Sequence, residues 1–175
     1  MKALSITYEQ YDTAQDLRKD IQSLALKAQE AAEKAYAPYS KFHVGCAISL
    51  ENGTIVTGNN QENVAYPSGL CAERVAIFSA SATLPGEKIK SIFIRAFSKK
   101  FMVNQPISPC GSCRQVLLEY QMLQKDQPIP IYMQGASGPI LMINDIRDLL
   151  PFCFFEEKLN EGEMIKAEEN SPLTL

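Results

Sequence analysis

The sequence has no excess of positive charge: Lys and Arg total 17 against 20 Asp and Glu, a formal net charge of −3. Nucleic acid is drawn mainly by such an excess, so a nucleic-acid partner is disfavoured. No uninterrupted apolar run approaches the ~18 residues of a membrane-spanning helix, and Met1 to Tyr11 lack a basic flank followed by an apolar segment. A cytoplasmic location without membrane contact is the resulting expectation. There is no internal repeat or low-complexity stretch, and the 10 prolines and 9 glycines are spread rather than clustered. Histidine occurs once, at His43. It falls on a strand-like segment whose opposite face reads as buried, so a surface or hydrogen-bonded role is expected of it rather than metal ligation.

What the chain does contain is an ordinary globular composition. Hydrophobic residues are 46% and charged residues 21% of 175 positions, near soluble averages of about 45–50% and about 25%. Disordered and fibrous classes are thereby disfavoured, and the length suits one compact domain. That domain is expected to span residues 1–155, with the part before about position 15 as an N-terminal extension. Residues 156–175 are rich in Glu and Lys and poor in large apolar side chains, as a solvated tail or a terminal helix would be.

Between Thr13 and Ala35, the residues Leu17, Ile21, Leu24, Ala28, Ala31 and Ala35 recur at intervals of three and four. This predicts an amphipathic helix, which Pro38 cannot continue. Phe42, Val44, Cys46, Ile48 and Leu50 alternate with smaller or more polar residues, and Asn52-Gly53 leads into Thr54 to Thr57. The pattern predicts a hairpin with a primed turn. Helices are expected over 71–82 and 110–123, strands over 91–97 and 129–134, and a short helix over 145–150 before Pro151. An α/β layered domain, with helices on both faces of a sheet, buries such elements economically.

Five cysteines, an odd number, point to metal or catalysis before disulfides. Cys110 and Cys113 lie at i, i+3 in Pro109-Cys110-Gly111-Ser112-Cys113-Arg114-Gln115. At a helix start this spacing puts both sulfurs on one side of the first turn, where one ion can take both. Two buried apolar cysteines would fit the pair equally well. A third, Cys71, also opens an expected helix, so two helix N-termini can aim thiolates at one ion. Three protein ligands are the count of a catalytic zinc, whose fourth position stays open. Glu73 is within reach of that position without having to be a ligand, although a Glu in a first helical turn is often only a complement to the helix dipole. Zn²⁺ with three thiolates carries a net −1, so a positive group is expected nearby. Arg74 and Arg114 are the candidates to donate to sulfur, and either could equally be a surface arginine.

Cys71-Ala72-Glu73-Arg74 and the 109–115 string resemble the cytidine deaminases, in the small-subunit, three-cysteine branch. So do Tyr36-Ala37-Pro38-Tyr39-Ser40-Lys41-Phe42-His43-Val44-Gly45, Gly58-Asn59-Asn60-Gln61-Glu62-Asn63 and Leu149-Leu150-Pro151, which together span about residues 20–155. The resemblance implies a three-layer α/β/α sandwich with a mixed sheet, one Zn²⁺ per subunit on Cys71, Cys110 and Cys113, and Glu73 as the acid/base. It implies that Arg74 donates to the ligating sulfurs and that Asn60 and Glu62 hold the ribose hydroxyls. Phe42 would pack on the pyrimidine, and Ala72 belongs with the substrate-binding residues. Phe154 would enter a neighbouring subunit's pocket, in a homotetramer with shared sites. From composition alone, Asn60 and Glu62 read as a polar loop, Phe42 as core and Phe154 as a local anchor. Cys46 and Cys153 depart from the usual family residues and read as free thiols.

The implied reaction is zinc-dependent hydrolysis of cytidine and 2'-deoxycytidine to the uridines and ammonia, in pyrimidine salvage. One rival is the same chemistry on an aminoacyl nucleoside antibiotic of the blasticidin type. Another is a nucleic-acid editing deaminase, which would resemble His-x-Glu rather than Cys-x-Glu. A non-enzymatic, zinc-stabilised binding module is the rival of a different class.

Overall fold

A computed structural model describes residues 2–125 and 127–154, so the expected tail at 156–175 lies outside the described residues. The first long element is helix α1, Lys19–Glu33, whose buried stripe is Ile21, Leu24, Ala25, Ala28, Ala31 and Ala32. It begins six residues later than the periodicity predicts. The reason is local: the Asp16 carboxylate accepts from both the backbone N–H and the hydroxyl of Thr13, at 2.9 Å each, which closes a separate 3₁₀ turn at Ala14–Asp16.

Strands β2 (Phe42–Leu50) and β3 (Ile55–Asn59) form the expected hairpin. Its turn differs from the expected primed one. Gly53 has φ +86° while Asn52 does not share a positive φ, and Leu50 N–H donates to the Thr54 carbonyl at 2.9 Å across three residues. This is a three-residue loop that ends in a left-handed glycine. Next come α2 (Ala72–Thr83), β4 (Ile89–Ser98), α3 (Gly111–Leu123) and β5 (Ile131–Gln134). The strand expected from 129 starts at Ile131, after Pro128 and Pro130; Pro130 has no N–H to give, but its carbonyl accepts from Ile92 N–H at 2.9 Å. The segment expected at 145–150 is a 3₁₀ turn, Ile146–Leu149, capped by the Asp145 side chain.

Two short strands escape the sequence reading: β1, Glu9–Tyr11, and β6, Ile140–Ile143. Among the described residues, six strands form one mixed sheet in the order β1-β6-β5-β4-β2-β3, with only β4 and β5 parallel. A parallel pair needs a crossover, which α3 supplies.

Strand alternation sorts the core into two layers. Ala47, Phe93, Tyr132 and Ile140 pack with α1, while Cys46, Ile48, Ile92, Ile94, Ile131 and Met133 pack with α2 and α3. The three-layer α/β/α arrangement is therefore as expected. Two glycines let the helices press onto the sheet. A Cβ on Gly45 would lie 2.0 Å from the Ala28 carbonyl oxygen, and one on Gly58 would lie 2.4 Å from Ala76 N. His43 is not at the surface: it is buried on the α1 side and stacks on Phe97 with centroids 4.8 Å apart, and its burial lowers its pKa while a hydrogen bond with the Ala32 backbone acts in the opposite sense.

Candidate active site

Cys71 is the N-cap of α2 and Cys110 the N-cap of α3, both in extended backbone conformation, and Cys113 sits in the first turn of α3. Their sulfurs all lie within 4.8 Å of one another, with Cys71 to Cys110 at 3.9 Å and Cys110 to Cys113 at 3.6 Å. Two helix N-termini thus face one point, where their dipoles favour negative charge. The cluster draws the Cys71 thiol down to about 5, chiefly through its hydrogen bond with Cys113 and, against the effect of burial, through Arg74 and Cys110. The same bond pushes Cys113 up. Three converging soft donors, with no fourth Cys or His in the group, suit zinc with one position left open.

Glu73 lies in the first turn of α2 and is buried. Burial lifts its carboxyl to about 7, with the Cys71 charge adding to the rise and its own N–H, Cys113 and Arg74 opposing it. A carboxyl poised there can both take and return a proton. Arg74 Nη2 reaches Cys71 Sγ at 3.9 Å, and its buried Nε has no partner among the described residues.

Beside the cluster opens a cavity of about 580 Å³ bordered by Tyr39, Asn60, Glu62, Tyr66, Cys71 and Arg74 among others. Asn60 is held at both ends of its amide: Oδ1 accepts from Val44 N–H at 2.8 Å and Nδ2 donates to the Phe42 carbonyl at 3.0 Å. The Glu62 carboxylate accepts from the Ser40 hydroxyl and from the N–H groups of Tyr39 (2.9 Å) and Ser40 (3.3 Å). Paired backbone bonds between Gln61 and Leu70, at 2.9 and 3.0 Å, pin the loop that runs from Asn60 to Cys71.

Residues 18–125 match the family described as the cytidine and deoxycytidylate deaminase zinc-binding region. The chain belongs to this family. A cytidine deaminase of Sporosarcina psychrophila is 38% identical over 141 residues, covering 81% of this chain and 96% of that one. Among solved structures, a Burkholderia pseudomallei cytidine deaminase has 37% identity and a TM-score of 0.65 over 75% of this chain and 97% of that chain. A Mycobacterium tuberculosis cytidine deaminase has 33% identity and a TM-score of 0.60 over 79% and 100%. The chain is accordingly a hydrolytic deaminase, and zinc is the metal of the matched region.

Within this deaminase fold the remaining expected site residues are distributed unevenly. Phe42 is half-buried and stacks on Phe101 (6.1 Å, 19°), and its ring does not border the cavity. Ala72 is fully buried at the start of α2. Phe154 is 76% exposed, with its backbone tied at both ends to the Gln115 side chain (2.9 and 3.1 Å), and it does not border the cavity of its own chain. Arg114 does not donate to sulfur. Its guanidinium binds the Pro109 and Leu149 carbonyls and the Ser108 hydroxyl at 2.8, 2.9 and 2.9 Å, so it braces the loop before Cys110. Tyr39 and Tyr66, whose rings lie 6.1 Å apart, were not expected at the site. The available signal was the Pro38-Tyr39-Ser40-Lys41 run, which the family resemblance already contains.

Proposed function

We propose that the chain hydrolyses cytidine and 2'-deoxycytidine to uridine and 2'-deoxyuridine, consuming one water and releasing one ammonia, as a step of pyrimidine salvage. The observation that carries this reading is the convergence of Cys71, Cys110 and Cys113 beside the buried Glu73 and the cavity of Asn60 and Glu62. Cys71, Cys110 and Cys113 would hold one zinc. Bound there, zinc supplies a water nucleophile at neutral pH, by lowering a pKa of 15.7 to ~7.

Glu73 takes a proton from the attacking water, delivers it to the ring nitrogen beside the reacting carbon, and then carries a proton to the departing amine. Its burial supports this role, because a carboxyl held near neutrality serves both directions of transfer. Arg74 donates to Cys71 and tempers the charge of the three sulfurs. Asn60 and Glu62 offer their remaining hydrogen-bonding capacity to the ribose hydroxyls, from positions fixed by β2 and the 39–40 backbone. The family resemblance assigns Phe42 and Ala72 to the pyrimidine side, a role that requires the Phe42 ring to leave its stack on Phe101 or the cavity to extend past it.

The reading includes a homotetramer in which Phe154 enters a neighbour's cavity. Its exposure and its anchoring to Gln115 support that placement. Among the described residues no helix is long and apolar enough to cross a membrane, which is compatible with the proposed cytoplasmic location.

The test is the ultraviolet change on mixing zinc-loaded protein with cytidine, 2'-deoxycytidine or a single-stranded oligonucleotide. Turnover of the free nucleosides alone is expected. Silence on both nucleosides with zinc bound would overturn the reading in favour of an antibiotic-type amine or a zinc-stabilised module.

A further inference from the structure

Pro151, Phe152, Cys153 and Phe154 are four consecutive exposed residues. Leu149 and Leu150 before them pack on the core beneath α2 and α3, and Arg114 Nη1 holds the Leu149 carbonyl at 2.9 Å. From Pro151 to Phe154 no side chain is buried, so packing within the chain does not set the direction in which this segment ends. Gln115 sets it. Its Oε1 accepts from Phe154 N–H at 3.1 Å and its Nε2 donates to the Phe154 carbonyl at 2.9 Å. Two bonds from one planar amide to both polar groups of one residue fix that residue's backbone as an exchanged pair does in an antiparallel ladder. The direction in which the Phe154 ring leaves the backbone is fixed with it.

The ring that this clamp aims is 76% exposed, so the clamp adds nothing to the core. Holding an exposed segment in one conformation costs backbone entropy. A ring already held in place spares a second surface that cost when the two meet. Gln115 follows Cys113 by two positions on α3, and Arg114 between them takes the Leu149 carbonyl. The stretch of α3 that carries Cys113 therefore fastens both ends of the 149–154 segment, and the outward ring and the sulfur cluster share one rigid element.

We propose that Gln115 is a positioning residue for deamination in the neighbouring subunit: through its paired bonds to Phe154 it aims the ring that enters the neighbour's cavity, and so governs substrate affinity there. This role rests on the shared-site reading above and goes beyond it by naming the side chain that orients the ring.

The test compares zinc-loaded, full-length Phe154→Ala, Gln115→Met and the double variant in steady-state deamination of cytidine, with zinc content measured on each. Methionine matches the length of glutamine without its amide and suits a helix, and position 115 is half-buried, so the fold should persist. Phe154→Ala is expected to raise KM about tenfold or more, and Gln115→Met about three- to tenfold, with kcat within about twofold and one zinc per chain. The double variant should be no worse than Phe154→Ala alone, because the two changes remove one interaction. Co-assembly with Glu73→Gln subunits, which lack the acid/base but keep an intact Gln115, should return the KM of the Gln115→Met sites toward the parent value; a role confined to one chain is not rescued in this way. An unchanged KM in Phe154→Ala overturns the shared-site reading and the proposal with it. A raised KM in Phe154→Ala beside an unchanged one in Gln115→Met overturns the proposal alone, as does a KM that co-assembly leaves raised, or loss of zinc from Gln115→Met.

Discussion

Arg114 and Leu149 are joined by a 2.9 Å hydrogen bond from Nη1 to the carbonyl oxygen, although they lie 35 positions apart in the chain. Through Pro109 and Ser108 the same guanidinium fixes the backbone that leads into Cys110. A lysine keeps the charge but cannot make three bonds in a fixed plane. Arg114→Lys is expected to lower the unfolding free energy by about 1–3 kcal/mol and to reduce zinc affinity about 10–100-fold. Urea titration and metal analysis after dialysis against a weak chelator measure both. An unchanged midpoint with full zinc retention would refute the brace.

Glu73 tests the chemistry separately from the metal site. Glu73→Gln keeps the shape and removes the titratable carboxyl that takes up and returns the proton, so turnover should fall about 10²–10⁴-fold with one zinc per chain retained. Stopped-flow or steady-state deamination, together with zinc content, decides it. Near-normal activity in a zinc-replete variant would remove Glu73 from the proposed role.

Gln121 is fully buried and joins three segments. Its Oε1 accepts from the N–H groups of Ile129 and Ile146, at 3.1 Å each, and its Nε2 donates to Asp145 Oδ1 at 2.7 Å. Gln121→Leu fills similar space but strands two buried donors, each worth about 1–3 kcal/mol. A loss of about 3 kcal/mol or more is expected in denaturant titration. A loss below about 1 kcal/mol would mean that those N–H groups find other partners.

Much of the site was legible in the chain because its parts are local. Cys110 and Cys113 are three apart, Cys71 and Glu73 are two apart, and each set stands at the start of a helix expected from the chain. The layers were legible in part for the same reason: α1 and β2 each carry a periodic apolar pattern. What escaped depends on distant partners. Strand β1 has three residues and exists as its pairing with β6, which itself has four. Arg114 is spent on carbonyls that no spacing rule connects to it. The burial of His43 follows from how closely α1 approaches across Gly45, a property of the packed layers.

Gly58 is where β3 meets the helix that begins after Cys71. A Cβ there would lie 2.4 Å from Ala76 N and 2.6 Å from the Ala72 carbonyl oxygen, both backbone atoms of α2. Gly58→Ala must therefore displace α2, at an overpacking cost of about 1–3 kcal/mol or more, and zinc retention should fall with it. Gly53→Ala is the control. Nothing lies within 4 Å of its Cβ, and only the φ of +86° resists it, so about 1 kcal/mol is expected. Equal midpoints for the two variants would contradict the close approach.

Glu62 gives a pH dependence whose sign can be worked out. Burial alone would raise its carboxyl, but the Ser40 hydroxyl and the N–H groups of Tyr39 and Ser40 hold it below its ordinary 4.5. A carboxyl depressed in the folded state binds fewer protons there than in the unfolded chain, so stability rises with pH between the two values. Its contribution is complete above 4.5 and is lost as pH falls through the lower folded value. Glu62→Gln cannot accept from three donors as a carboxylate does, so it should be less stable than the parent at pH 7. Unfolding midpoints of the two proteins should converge as the pH is lowered beneath 4.5. A difference that persists undiminished at pH 3 would show that the carboxylate charge is not what holds the 39–40 segment.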